Sequence, residues 1–140
     1  VRDRKRVKLQ ALIRACADAG IALRFVESNF SSDRAWEYGR SLAAAADRPR
    51  VIFAESDAVA MPLLKGMHEA GLRIPEEIGI IGSDDTMLRQ FSIPTLATIG
   101  FDKIQLGKLV ISTLLAILNQ RGAAIESIKI PTTFIRGESI

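Results

Sequence analysis

The chain has 140 residues, 48% hydrophobic and 25% charged, with a formal net charge of +3. That balance describes one ordinary globular domain and excludes a disordered or fibrous chain. No apolar run approaches the roughly 20 residues that cross a bilayer as a helix, and a single cysteine, Cys16, leaves no internal disulfide and suits a reducing compartment.

In chain order, residues 3–19 read as an amphipathic helix, with Val7, Leu9, Leu12 and Ile13 as its apolar stripe and Gly20 as its terminator. Its basic start, VRDRKRVKLQ, reads as a solvated helix face. It has no interleaved aromatic residues to stack on nucleic acid, and it lacks the apolar core and cleavage site of a signal peptide. Cys16 has no second thiol or base near it in sequence and reads as inert packing. Residues 21–26 read as a strand. Ser31, Ser32 and Asp33 offer N-caps to a second helix that runs to about residue 46, where Asp47, Arg48 and Pro49 break it. Residues 51–54 form the next strand and meet polar Glu55, Ser56 and Asp57.

A third helix spans residues 58–70 and ends at Gly71; Pro62 falls near its first turn, where a missing N–H costs little. Residues 78–81 and 96–99 read as strands. Residues 102–120 make a long helix closed by Gly122, apolar over more than half its surface and therefore expected to be deeply buried. Residues 128–133 and 134–136 read as terminal extended segments. The alternation of helix and strand predicts an α/β fold, a parallel sheet with helices on both faces.

Ile78, Ile80 and Ile81 run into Gly82 and Ser83, so Asp84 and Asp85 stand just past the carboxyl end of a buried strand. Ligands of open parallel sheets bind at that edge. A carboxylate there either accepts charge-assisted bonds from ligand hydroxyls or caps the turn that follows. Ser56 and Asp57 hold the same place after the preceding strand. His68 has no second histidine, cysteine or acid at metal-ligand spacing and reads as a helix-surface residue. There is no nucleophile–base pair and no Gly-rich phosphate loop, so neither a metal, a cofactor nor an enzymatic role is expected.

The run IPEEIGIIGSDDTMLRQFSIPTLATI is preceded by VIFAESDAVAM and followed by FDKIQLGKL and IKIPTTFIRGES. In order and spacing these segments resemble the C-terminal half of the effector-binding core of LacI/GalR transcription regulators. The resemblance implies a type I periplasmic-binding-protein-like fold, two α/β subdomains with the effector between them, present here incompletely as part of a longer protein. On it, residues 1–97 are most of the C-terminal subdomain, 98–129 a crossover strand and helix of the N-terminal subdomain, and 130–140 the return. It implies a cytoplasmic regulator whose operator DNA is read by a head outside these residues. This portion would sense a small sugar-like effector and form a homodimer, with no membrane role. The alternative on the same fold is a periplasmic sugar-binding protein of an uptake system.

The resemblance also implies roles for single residues. Asp84 would hold effector hydroxyls while Asp85 holds the loop. Ser56 stands where relatives often carry an effector-binding Asn, Asp57 beside it contacts effector or starts the helix, and Asp102 either faces the site or caps a helix. Lys8 falls near an effector-binding arginine of relatives, with Arg4 and Arg6 as alternatives. Arg34 falls near a site-facing aromatic, and Phe30 could supply an aromatic wall. Lys103 replaces an aromatic and suits an anionic ligand or is simply solvated. Met61, Leu64 and Leu88 match positions of a dimer surface, or fill the core.

Overall fold

In the computed structural model, residues 2–119 and 127–140 are described, with side chains from residue 9 onward. The elements run α1 (Arg2–Asp18), α2 (Ser32–Ser41), a 3-10 turn (Leu42–Ala44), β1 (Val51–Phe53), α3 (Asp57–Glu69), β2 (Gly79–Ser83), a 3-10 helix (Met87–Phe91), β3 (Ala97–Phe101), α4 (Lys103–Asn119) and β4 (Thr132–Ile135). The strands form one sheet in the order β1-β2-β3-β4. The first three are parallel, with Phe53 opposite Ile81 and Ser83 opposite Ile99. β4 runs antiparallel to β3, pairing Phe134 with Ile99 and Thr132 with Phe101.

The apolar β-branched runs explain these strands: Ile78 and Ile80 are fully buried, as are Leu96 and Ala97. α3 packs on β2 and α2 packs on α3. The core between them holds Leu42, Leu63, Leu64, Met67, Leu72, Ile78, Ile80 and Leu96. The two helices meet at glycines. A Cβ on Gly39 would stand 2.4 Å from the Leu63 carbonyl oxygen, and one on Gly66 2.2 Å from that of Trp36. The Trp36 indole N–H then reaches the Glu69 carboxylate at 2.7 Å, and the Arg40 guanidinium lies 4.9 Å from the Trp36 ring centre.

α3 closes at Gly71, whose φ of 81° admits the left-handed cap. The Gly71 N–H bonds to the His68 carbonyl and the Leu72 N–H to that of Met67. The C-terminal tail is sewn into the sheet below the β2–β3 pairing. The fully buried Ser139 hydroxyl donates to the Ile80 carbonyl at 2.7 Å and accepts from the Ala97 N–H at 2.8 Å.

Four expectations change. Residues 21–28 join no ladder and expose Ile21, Phe25 and Val26, because a strand needs a neighbour and no described strand lies beside this segment. α4 is not buried at any described position; Ile111, Leu114, Leu115 and Leu118 are all exposed, since the described residues supply nothing for it to pack on. The terminal extended segments reduce to the single strand β4. Pro62 sits inside α3 rather than in its first turn, and the carbonyl it leaves without an amide belongs to exposed Ala58. Gly122 and the side chain of Lys8 lie outside the described residues.

Candidate functional site

The carboxyl ends of β1, β2 and β3 meet at one edge, and a buried carboxylate organises it. Asp57 opens α3 and is fully buried. Its Oδ2 accepts from the Thr86 N–H at 2.7 Å and the Thr86 hydroxyl at 3.1 Å. Its Oδ1 accepts from the Thr98 hydroxyl at 2.7 Å. Gly82 makes room for this group, because a Cβ there would lie 2.2 Å from Asp57 Oδ1. Asp57 is therefore a scaffold of the edge and offers no open face to a ligand.

The scaffold holds an uncommon turn. Asp84 and Asp85 both have positive φ, 107° and 49°. Each such non-glycine residue costs on the order of 1–3 kcal/mol and persists only where neighbours enforce it. The neighbours are visible. The Asp84 N–H donates to the Ile99 carbonyl at 2.9 Å, and the Asp85 N–H to the Thr98 hydroxyl at 3.4 Å. The Asp85 carboxylate pairs with Arg89 Nε at 2.7 Å, an arginine only 9% exposed. Lys103 Nζ donates to the Asp85 carbonyl oxygen and lies 4.0 Å from its carboxylate. Gly100 leaves space for the turn, since a Cβ there would come within 2.6 Å of the Asp85 Cβ.

The outcome is an exposed Asp84 presented on a braced turn, with Asp85 directed inward to the bracing groups. Ser56 is the N-cap residue of α3, buried at 9% exposure, and its hydroxyl makes no cap hydrogen bond. Asp102 caps α4, its Oδ1 accepting from the Gln105 N–H at 2.9 Å while the residue stays exposed at the same edge. The structure thus brings Ser56, Asp57, Asp84, Asp85, Asp102 and Lys103 to one edge. Arg34 is exposed in the first turn of α2, a helix that packs on α3, and Phe30 is exposed just before it at a φ of 57°.

Sequence reasoning missed Thr86, Thr98 and Arg89. None of the three carried a signal of its own in the sequence.

The expected dimer residues separate. Leu64 is 3% exposed in the core, Met61 is half-buried on α3, and Leu88 is exposed beside Met87, Phe91 and Ile93. Leu64 therefore fills the core of this chain. At the far end of α3 a hollow of about 470 Å³ is lined by His68, Leu72, Ile74, Ile93, Pro94 and Glu138, among others. It is remote from the strand ends, because α3 starts at the site and runs away from it. Among the described residues no three His, Cys, Asp or Glu gather to hold a metal ion, and no helix is long and apolar enough to cross a membrane.

Residues 3–140 match the family of periplasmic binding protein-like domains. The ribose operon repressor of Haemophilus influenzae is 33% identical over 136 residues, which is 95% of this chain and 41% of that protein. The transcriptional repressor PurR of Photobacterium profundum is 34% identical over 113 residues, 79% of this chain and 34% of that protein. Among solved structures, a LacI family regulator of Enterococcus faecium with bound ribose superposes with a TM-score of 0.69 at 29% identity, covering 79% of this chain and 40% of that one. A LacI family regulator of Arthrobacter in complex with lactose gives 0.80 at 21% identity, covering 93% and 49%. The chain spans about two fifths of the length of the curated relatives it matches.

Proposed function

The chain belongs to the periplasmic binding protein-like domain family, as a portion of a LacI/GalR effector-binding domain, and from that premise we propose that it senses a small sugar or sugar-derived metabolite for a DNA-binding transcription regulator. The observation that carries this reading is the Asp84–Asp85 turn, two strained residues braced from below at the carboxyl ends of three parallel strands. Strain kept at a ligand edge is a mark of preorganised recognition. Asp84 accepts ligand hydroxyls, Ser56 and Asp102 flank it, and Asp57 and Asp85 hold the frame.

The second wall of the cleft belongs to a subdomain to which α4 contributes. Its exposed apolar faces support that assignment. Unequal binding of the effector to two subdomain arrangements shifts operator affinity. The regulator is cytoplasmic, catalyses no reaction, and pairs with a second copy along a surface that includes Met61 and Leu88. Repressors among the matched relatives favour this reading over a periplasmic uptake protein of the same fold.

A thermal-shift screen of the chain against ribose, hexoses, nucleobases and nucleosides tests it. A binding ligand at 100 times its Kd adds about 2.7 kcal/mol of stability. Asp84→Ala removes that gain; a full shift retained in Asp84→Ala defeats the site.

A further inference from the structure

We propose that the C-terminal tail helps to set the Asp84–Asp85 turn from the opposite edge of the sheet, with Glu138 as a positioning residue that acts through residues 84–96. β2 and β3 are parallel neighbours, so those residues carry the chain from the carboxyl end of one strand back to the amino end of the other. Parallel neighbours are usually joined through an α-helix; here the helical piece is the short 3-10 helix Met87–Phe91. The crossing covers the length of the strand Gly79–Ser83, about 16 Å. Its first residues form the strained turn, and its last stand beside the tail.

At the far end Thr95 gives every polar group it has to the tail. Its N–H and its hydroxyl each donate to the Glu138 carboxylate at 3.0 Å, and the hydroxyl accepts from the Glu138 N–H at 3.1 Å. Its carbonyl accepts from the Ser139 N–H at 3.0 Å. Fully buried Ser139 anchors the tail between Ile80 and Ala97, so Glu138 holds from a fixed point. Leu96, the next residue, is bound to Arg89 twice. Its N–H donates to the Arg89 carbonyl at 3.1 Å, and its carbonyl accepts from Arg89 Nη1 at 3.5 Å. Arg89 Nε then reaches the Asp85 carboxylate at 2.7 Å. Glu138 is thus linked to Asp85 through Thr95, Leu96 and Arg89.

The turn responds to this link because it is strained. Asp84 and Asp85 hold positive φ at a cost, so slack in the bracing favours their return to ordinary backbone. Asp57 and Thr98 brace the turn from below, and the tail adds a tie that runs along the sheet. On the reading of this turn as the effector site, Glu138 alters ligand affinity without touching ligand. By reciprocity, a ligand that fixes the turn steadies Thr95.

Amide hydrogen exchange in the ligand-free chain tests the link, with the Met67 amide in the buried part of α3 as the measure of global stability. After correction for any change at Met67, the Asp84 and Asp85 amides should exchange about tenfold faster in Glu138→Ala, the lower end of what a bond to a charged group supports. Thr95→Val loses the hydroxyl ties and keeps the N–H, so it should shift the same two amides the same way by less, and it carries the test if Glu138→Ala does not fold. Arg89→Met cuts the link, so adding Glu138→Ala to it should change exchange at Asp85 no further. Acceleration that is equal at Asp84, Asp85 and Met67 makes Glu138 a general stabiliser and overturns the positioning role. Full additivity of Glu138→Ala with Arg89→Met overturns it too. Failure of the effector site would show separately, as ligand binding unaffected by Asp84→Ala, and would leave the ligand-free exchange standing.

Discussion

At the scale of single residues, the shape of the strand-end edge depends on the hydrogen bonds that Thr98 makes to Asp57 and Asp85. Thr98 is fully buried, donates to Asp57 at 2.7 Å and accepts from the Asp85 N–H. Thr98→Val keeps the shape and β-branching but deprives a buried carboxylate of a donor, a loss of about 1.5–3 kcal/mol. Urea unfolding should show that drop in midpoint, and the amide exchange of Asp84 and Asp85 should rise with it. A second residue-scale expectation concerns the tail. The Glu138 carboxyl is held below the usual glutamate range by the Thr95 N–H first and the Thr95 hydroxyl second. A carboxyl with a lowered folded pKa stabilises above its unfolded value and loses that contribution as pH falls through the folded one. The protection of the Thr95 and Ser139 amides, after allowance for the intrinsic slowing of exchange in acid, should therefore fall as pH drops through the folded value, whereas Glu138→Gln should leave that protection independent of pH. Asp84 and Asp85 were legible as a pair because they directly follow a buried strand. Their bracing was not, because Asp57 and Thr98 lie 41 positions apart and only the folded sheet brings them together.

At the scale of elements, periodicity identified the helices and the strands that carry the site, and failed where an element depends on a neighbour. β1, β2 and β3 fall within a few residues of their expected positions because short β-branched runs between turns have few other solutions. Residues 21–26 have the same composition without a ladder. α4 was expected to be buried on apolar content alone, which says what a surface needs and not what covers it. The close contact of α2 and α3 was also silent in sequence: Gly39 and Gly66 read as ordinary helix glycines until the approach of the two helices is seen. Gly66→Ala gains about 1 kcal/mol of helix propensity. It also drives a methyl to 2.2 Å from the Trp36 carbonyl oxygen, and overpacking of that kind costs about 1–3 kcal/mol. The clash lies against backbone and cannot relax by rotamer, so the net effect should be destabilising. Chemical denaturation of Gly66→Ala beside the exposed control Gly107→Ala checks the sign.

At the scale of the whole molecule, the buried core lies around α2, α3 and the sheet, while the described side chains of α1 and α4 bury none of their number. If the surface that includes Met61 and Leu88 joins two copies, Leu88→Lys places a charge in an apolar contact. It should weaken dimerisation about tenfold, or about 1.4 kcal/mol, with little change in melting of the monomer because Leu88 is 63% exposed. Sedimentation equilibrium reads this directly, and an unchanged constant would move the interface elsewhere. One further property follows from the sheet order. β1 and β4 are both outer strands, with Val51, Phe53 and Phe134 exposed along them. Neither strand carries a lysine, a proline or a bulge to deter pairing with another chain. Among the described residues each flank therefore keeps backbone donors and acceptors with which a further strand can pair.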